Sequence, residues 1–403
     1  MQPLKPSFLT LLLMISFASI NAVFPTPALP EISHFFAITE NTAQQIITWF
    51  LIGYALGQLI YGPLANRFGR KPALYAGISL QILSSLLCIV GGIIDHYWLL
   101  VLGRFLTALG SGVGLKMTFT IINECYAPQI ANKKISYLTL SFAVAPGLSV
   151  ALGGLLSSHY GWQSCFIVSA IYGLILLLMV TRLPETKIKL DLDAFKINQL
   201  LHGYITQLKD RQLITGAILL GGSTCFIYVF SAVAPFLAMN IMGMTPSKYG
   251  MANIIPSIGL MVGSIFSAKF SEKYSSRAGI GLGIFLVACS SVLMMMTLTS
   301  NRAPAPIILL FIPTMVTYFG VSLIISNAST LAMSKVEDKS HGAAVMSFIN
   351  VGTATAVVLV LSLLPVTRIL LPTTFSLIAL MMLVVFFFRP CKRSRSHFEG
   401  IPL

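Results

Sequence analysis

Two cations interrupt sequence that is otherwise apolar: Arg104 lies well inside the stretch 98–121, and Lys116 lies toward its far end. A charge at the middle of a membrane span costs about 2.5–3.5 kcal/mol on insertion unless it is paired or hydrated. Arg104 is therefore expected to face an internal cavity, where a fixed positive charge favours anions. Snorkelling to the surface is the competing reading for Arg104 and also for Lys116, which sits nearer a helix end. At 1.5 Å and 100° per residue the two are offset by about 18 Å along a helix and about 120° around it, so they share a cavity only at different depths. Uncharged polar residues in other spans, namely Tyr54, Gln58, Tyr228, Ser231, Asn327 and Asn350, are candidates for lining the same cavity. Bonding across helices is their alternative role. The 17 methionines furnish either an adaptable apolar pocket or ordinary membrane packing.

Carboxylates are scarce where a carrier would need them. The 12 acidic residues all map to loops or helix ends, whereas proton coupling needs a group whose ionisation changes as the site changes exposure. The remaining candidates are Glu31 and His34, near the outer end of the first span, and Glu124, at the inner end of the fourth; each also reads as a solvated loop residue. No G-x-x-x-x-G-K-[ST] phosphate loop and no nucleophile–base set is present, so neither an enzyme nor ATP drive is expected. Cys88, Cys125, Cys165, Cys225, Cys289 and Cys391 form no CxxC and no outer-loop pair, which predicts no disulfide framework, metal or other cofactor.

The elements that must position these residues are membrane helices. Of 403 residues 56% are hydrophobic and 9% charged, with a mean hydropathy of +0.86, against about 25% charged in soluble domains. Apolar runs of roughly 20 residues fall at 6–27, 44–64, 73–94, 98–121, 135–157, 163–181, 213–237, 249–269, 279–299, 306–331, 342–364 and 370–388. The first could be a cleavable leader, since Lys5 precedes it and Ile20-Asn21-Ala22 offers small residues, but its length favours a span. With the amino terminus inside, the outer loops keep only Lys248, Arg302 and Arg368 of the 26 Lys and Arg, and Arg104 and Lys116 lie within spans. That distribution places both termini in the cytoplasm. It also accounts for the net charge of +14 by topology and anionic headgroups rather than nucleic acid, although Lys392-Arg393-Ser394-Arg395 alone could mimic a nucleic-acid patch. The longest polar interval, 182–212, divides the chain into an N-terminal bundle (1–181), a cytoplasmic linker, a C-terminal bundle (213–389) and a tail (390–403). GQLIYGPLANRFGRK from Gly57 and GSIFSAKFSEKYSSR from Gly263 share a glycine, an apolar helix end and a basic turn, as expected of two repeats around a midplane site.

The turn between the second and third spans, YGPLANRFGRKP, supplies the family resemblance. Gly57 and Gly62 let helices approach, and Arg67, Arg70 and Lys71 anchor the turn on the cytoplasmic side. It resembles the signature loop of the major facilitator superfamily, G-x-L-x-D-R-x-G-R-[K/R], with Gly62, Arg67, Gly69, Arg70 and Lys71 in place and Asn66 where the acid belongs. Further segments, among them GRFLTALGSGVG from Gly103, FIYVFSAVAPFL from Phe226 and NASTLAM from Asn327, resemble the drug:proton antiporters of the bicyclomycin-resistance (Bcr/CflA) type. The resemblance covers most of the chain. It implies an all-α membrane protein of twelve transmembrane helices in two six-helix bundles, resident as a monomer in a bacterial inner membrane. It further implies a role for Arg104 in proton transfer or substrate binding, an exchange motif in the fifth helix carried by Pro146, Gly153 and Gly154, and an acid in the first helix. Here that acidic position falls near Val23, with only Asn21 as a polar neighbour, and the fifth-helix Gly-Pro falls at Ser149-Val150. An amide at Asn66 keeps a hydrogen bond but not a charge, which predicts a weaker latch on the cytoplasmic side. The function expected is alternating-access, proton-coupled efflux of a small organic molecule. A positive interior without a buried acid favours an organic anion, such as a carboxylate metabolite or siderophore, as the alternative cargo; a non-transporting receptor is the third reading.

Overall fold

The computed structural model describes residues 6–187, 190–191, 197–299, 307–336 and 338–388. Among them the regular structure is helical, with no strand, and eleven helical stretches are long and apolar enough to cross a bilayer. Backbone polar groups in hydrocarbon have no water to bond, and a helix satisfies them within its own segment. Helix α1 (Phe8–Val23) stops short of Pro25; a 3₁₀ turn (Thr26–Ala28) and α2 (Leu29–Phe35) complete the crossing. Prolines 25, 27 and 30 have no N–H to give, which breaks this crossing into three pieces. Helix α3 (Glu40–Phe68) begins at Thr39, whose hydroxyl accepts from the Thr42 N–H at 3.2 Å, and runs past its expected end at 64. After Gly69 come α4 (Arg70–Ile93), then α5 (Tyr97–Ser111) and α6 (Val113–Cys125), which form one crossing broken at Gly112.

Helices α7 (Pro128–Tyr160) and α8 (Gln163–Val180) come next. The expected span 135–157 lies inside α7, in which the side chains of 139–143 fall outside the described residues. Helix α9 (Ile197–Leu208) lies in the polar interval 182–212. Hydropathy alone did not reveal it, because Leu201, Tyr204, Ile205 and Leu208 recur at helical spacing among polar residues. Asp210 caps α10 (Arg211–Phe236), its carboxylate accepting from the N–H groups of Gln212 (2.7 Å) and Leu213 (3.1 Å). Beyond a π-helical turn (Leu237–Ile241) come α11 (Pro246–Ala252), α12 (Ile254–Lys273), α13 (Ser276–Thr299), α14 (Ile307–Met333), α15 (Lys339–Leu361) and α16 (Leu370–Phe388). Arg302 and the basic cluster 392–395 lie outside the described residues.

Glycines set how closely these helices pack, and they do so twice. A Cβ at Gly53 of α3 would lie 2.2 Å from the Phe105 carbonyl oxygen of α5, and one at Gly57 would lie 3.0 Å from that of Leu109. One at Gly77 of α4 would lie 2.8 Å from the Gly110 oxygen. The same three contacts recur in order further on: Gly259 against the Met315 oxygen (2.1 Å), Gly263 against that of Phe319 (2.7 Å), and Gly283 against that of Gly320 (2.7 Å). In both places the middle helix, α5 or α14, is held at backbone distance by its two neighbours. At the end remote from the 69–71 turn, hydrogen bonds join helices α1–α8 to the chain beyond α9: Gln45 Nε2 to Ser362 Oγ (2.9 Å), Asn240 Nδ2 to Glu40 Oε1 (2.5 Å) and Ser247 N to Ser158 Oγ (3.0 Å).

Candidate functional site

Arg104 on α5 is 2% exposed and points inward, not toward lipid. In an unbroken helix the carbonyl of residue 21 would accept from the N–H of residue 25, but residue 25 is a proline. Arg104 takes that place: Nη1 donates to the Asn21 oxygen at 2.8 Å and Nη2 to the Ala22 oxygen at 3.1 Å. A cation is also favoured there by the negative end of the α1 dipole. The guanidinium carbon lies 4.4 Å from the centroid of the Phe50 ring on α3, a contact worth about 2 kcal/mol when desolvated. Phe50 in turn stacks on Tyr54, centroids 6.5 Å apart, and Tyr228 of α10 lies within electrostatic range of Arg104 and Tyr54. The charge is thus held by two carbonyls and a ring face, with no carboxylate within 4 Å among the described residues. Its Nε has no hydrogen-bond partner.

Deeper toward the basic turn, Lys116 of α6 lies along the same helix α3. Its Nζ is 3.4 Å from the Gln58 carbonyl oxygen and 2.6 Å from where a Cβ on Gly62 would stand. Gly62 therefore makes room for the amine, which turns into the protein instead of toward headgroups. The Gln58 side chain lies beside the Tyr54 hydroxyl, and its Nε2 has no hydrogen-bond partner. The two cations thus face one helix at different depths, more than two turns apart.

The remaining polar candidates part company. Ser231 bonds back to the Ile227 oxygen at 2.8 Å, and Asn350 on α15 keeps an unpartnered buried Oδ1. Asn327 is 2% exposed and staples α14 to α12, its Nδ2 donating to Ser267 Oγ (3.3 Å) and its Oδ1 accepting from Ser271 (3.3 Å). Asn21 is likewise a junction. Its Oδ1 accepts from Gln81 Nε2 of α4 (3.1 Å) and from Ser169 Oγ of α8, and its Nδ2 donates to the Phe17 oxygen (2.8 Å). Gln81, a lone glutamine in an apolar span, had signalled this junction in the sequence without being singled out.

The three proton candidates also acquire places. Glu31 accepts from Ser157 Oγ (2.7 Å) and from the Trp162 N–H (3.2 Å), tying α2 to the α7–α8 corner. His34 is exposed. Glu124 faces Arg70, which donates to both its oxygens (2.6 and 3.3 Å), and also accepts from Thr186 Oγ1.

Glu124 therefore belongs to the basic turn rather than to a loop in water. Arg70 Nη1 donates to the Ala65 oxygen (2.7 Å) and to Asn66 Oδ1 (3.0 Å), so the amide keeps the bond an acid would have made. Glu185, which sequence reasoning missed, caps α4: its two oxygens accept from the N–H groups of Arg70 and Lys71, each at 2.9 Å. Partial burial alone would raise the Glu185 carboxyl, but donation from the N–H groups of Lys187, Arg70 and Lys71 and the Arg70 charge outweigh it and hold the group below its ordinary value. Gly69 has φ +104°, and a Cβ there would meet Glu185 Oε2 at 2.8 Å, so both backbone and space demand glycine. Lys71 Nζ reaches the Thr181 oxygen (2.9 Å), and Arg67 lies over the Phe68 ring at 5.6 Å.

On α7, a Cβ at Gly153 would lie 2.1 Å from the Phe24 oxygen, and one at Gly154 would lie 2.4 Å from the Pro246 oxygen of α11. A Cβ on Gly250 of α11 would lie 2.7 Å from the Val150 oxygen, and one on Gly147 would lie 2.1 Å from Ser257 Oγ of α12. The small residues near Pro146 thus serve a backbone-to-backbone crossing of α7 with α11 and α12.

A profile of the family described as Major Facilitator Superfamily matches residues 9–361. Similar proteins include Multidrug resistance protein D of Escherichia coli (strain K12), 22% identical over 326 residues, with 81% of this chain and 80% of that one covered. Another is the Bicyclomycin resistance protein homolog of Haemophilus influenzae, 20% identical over 272 residues, covering 67% of this chain and 68% of that one. Among solved structures, a D-xylose-proton symporter superposes with a TM-score of 0.74 at 15% identity, over 93% of this chain and 96% of that one. At that identity the last likeness speaks to fold alone.

Proposed function

The chain belongs to the major facilitator superfamily, a multi-pass membrane transporter and not an enzyme, and from that premise we propose that it exports small organic molecules in exchange for protons across a bacterial inner membrane. The observation that carries this reading is Arg104: a buried cation without a carboxylate partner, clamped on a broken helix and within electrostatic range of Tyr228. The names of the drug-resistance relatives support the cargo class. In the proposed layout twelve spans, α7 included, form a monomer of two bundles, 1–181 and 213–389, joined by the linker 182–212 and followed by the tail 390–403. The basic turn and both termini face the cytoplasm. The hydrogen bonds Gln45–Ser362, Asn240–Glu40 and Ser247–Ser158 then close the outer end, as in the inward-facing and occluded stages of an alternating-access cycle. With Glu31 and Glu124 engaged in structural pairs and no acid beside Arg104, Lys116 is the proposed coupling group, because an amine can exchange a proton where a guanidinium cannot.

The same positive interior favours an anionic cargo, the second reading. Uptake into inverted vesicles under imposed pH gradients, with substrates of opposite charge, tests both. Export driven by an inward proton gradient and lost in Lys116→Met is expected. Transport indifferent to the gradient overturns the coupling, and efflux of a cationic dye that disappears in Arg104→Met overturns the anion reading.

A further inference from the structure

A crevice of about 610 Å³ opens on the flank of the first bundle between α1, α7 and α8. It is separate from the Arg104 site: the α1 backbone is the wall between them, with Arg104 bonded to the Asn21 carbonyl on one side and the Asn21 side chain lining the crevice on the other. Its rim is set by Leu148 (53% exposed) and Leu152 (54% exposed) of α7, which in a membrane-crossing helix face acyl chains. None of its lining residues is charged.

We propose that this crevice binds an uncharged, bilayer-dissolved small molecule carrying one O–H or N–H donor. Its size falls within the roughly 300–1,000 Å³ of small-molecule pockets, which are mostly apolar with a few placed polar groups. The polar group that sets the ligand chemistry is Ser149. Its hydroxyl proton is committed to the Ala145 oxygen at 2.6 Å, so what it offers the crevice is acceptor lone pairs. Ser169 offers less, since its hydroxyl donates to Asn21 Oδ1 and already accepts from Gln81 Nε2 at 3.0 Å. A ligand that bonds Ser149 must therefore bring the donor. A phospholipid fits less well, because no Lys or Arg lines the crevice to meet a phosphate. Ser149 is also where the fifth-helix Gly-Pro of the drug antiporters is replaced, so the residue that departs from the exchange motif is the one that furnishes this acceptor. The site depends on the membrane setting, not on the direction or coupling of transport.

The test uses the full-length protein in proteoliposomes, with 1-naphthol as probe, 1-methoxynaphthalene as its donor-capped counterpart, and protein-free vesicles for the partition background. One saturable 1-naphthol per chain is expected, with affinity lowered about fivefold both by capping the donor and by Ser149→Ala, the loss of one hydrogen bond. Ala145→Trp, which fills the crevice, should abolish saturation, whereas Leu174→Trp, lipid-facing on α8 but outside the lining, should not. Lys116→Met, away from the α1 wall, should bind 1-naphthol normally even where coupled transport is lost, which separates this site from the transport reading. The proposal is overturned by non-saturable uptake, by saturation unaffected by Ala145→Trp, or by equal affinity for the two probes. A phospholipid that co-purifies with the wild type and is lost in Ala145→Trp also overturns it.

Discussion

Removing the Arg104 side chain should cost more while residue 25 is a proline than when it is an alanine. In Arg104→Met the carbonyl oxygens of Asn21 and Ala22 lose donors at 2.8 and 3.1 Å, and the Asn21 oxygen has no backbone alternative, since Pro25 carries no N–H. A buried carbonyl left without a partner costs about 1–3 kcal/mol. Pro25→Ala returns an N–H four residues after Asn21, so this share of the cost should vanish in the double variant and appear as a coupling of about 1–3 kcal/mol between positions 25 and 104. Loss of the Phe50 contact and relief of the buried charge occur in both backgrounds and cancel in the cycle. Arg104→Lys should fall between, because an ammonium lacks the planar fork that holds two carbonyls at once. The assay is equilibrium unfolding of the four purified proteins in mixed micelles, followed by fluorescence of the 3 tryptophans. Additivity of the two substitutions within about 0.5 kcal/mol would refute the idea that Arg104 stands in for a missing backbone donor.

Asn66→Asp turns the 3.0 Å amide contact with Arg70 into a charged pair worth about 0.2–1 kcal/mol, so distances across the basic end, read from paired spin labels, should shift toward closure; an unchanged distribution would dismiss the weak-latch idea. Gly154→Ala puts a Cβ 2.4 Å from the Pro246 oxygen and should destabilise by about 1–3 kcal/mol through overpacking, seen as a lower melting temperature. Because the folded Glu185 carboxyl titrates below its unfolded value, its capping of α4 is fully present above about pH 4.3 and fades as pH falls through the lowered folded value. Glu185→Gln should flatten that acid-side loss in a melting series, and a variant that loses stability as steeply as the wild type would show the cap to be irrelevant.

The spans were legible because a run of apolar residues admits few alternatives to a helix in a bilayer, although the run 6–27 holds a break at Pro25 that apolarity alone does not show. Side-chain duties were less legible, because they depend on which face of each helix meets which neighbour. Asn327, expected to line a cavity, ties α14 to α12, and Asn21 ties α1 to α4 and α8. Glu124 looked like a loop residue because its partner, Arg70, lies far away in sequence. Asn66 announced that an acid was missing from the turn, but nothing local said that Glu124 and Glu185, from two other helix ends, would supply the negative charge. Helix α9 escaped because its apolar residues are diluted by polar ones at helical period, a pattern that hydropathy averaging erases.

The crossing of α7 with α11 and α12 has a mechanical corollary. Where Gly154 meets the Pro246 carbonyl and Gly250 meets that of Val150, main chain lies against main chain. Gears must unmesh before they turn; a journal in its bearing need not. Rotation of one block of helices against the other at this joint would lift few teeth from few notches, so the resistance to switching must come from the polar fastenings at either end, where single substitutions can tune it.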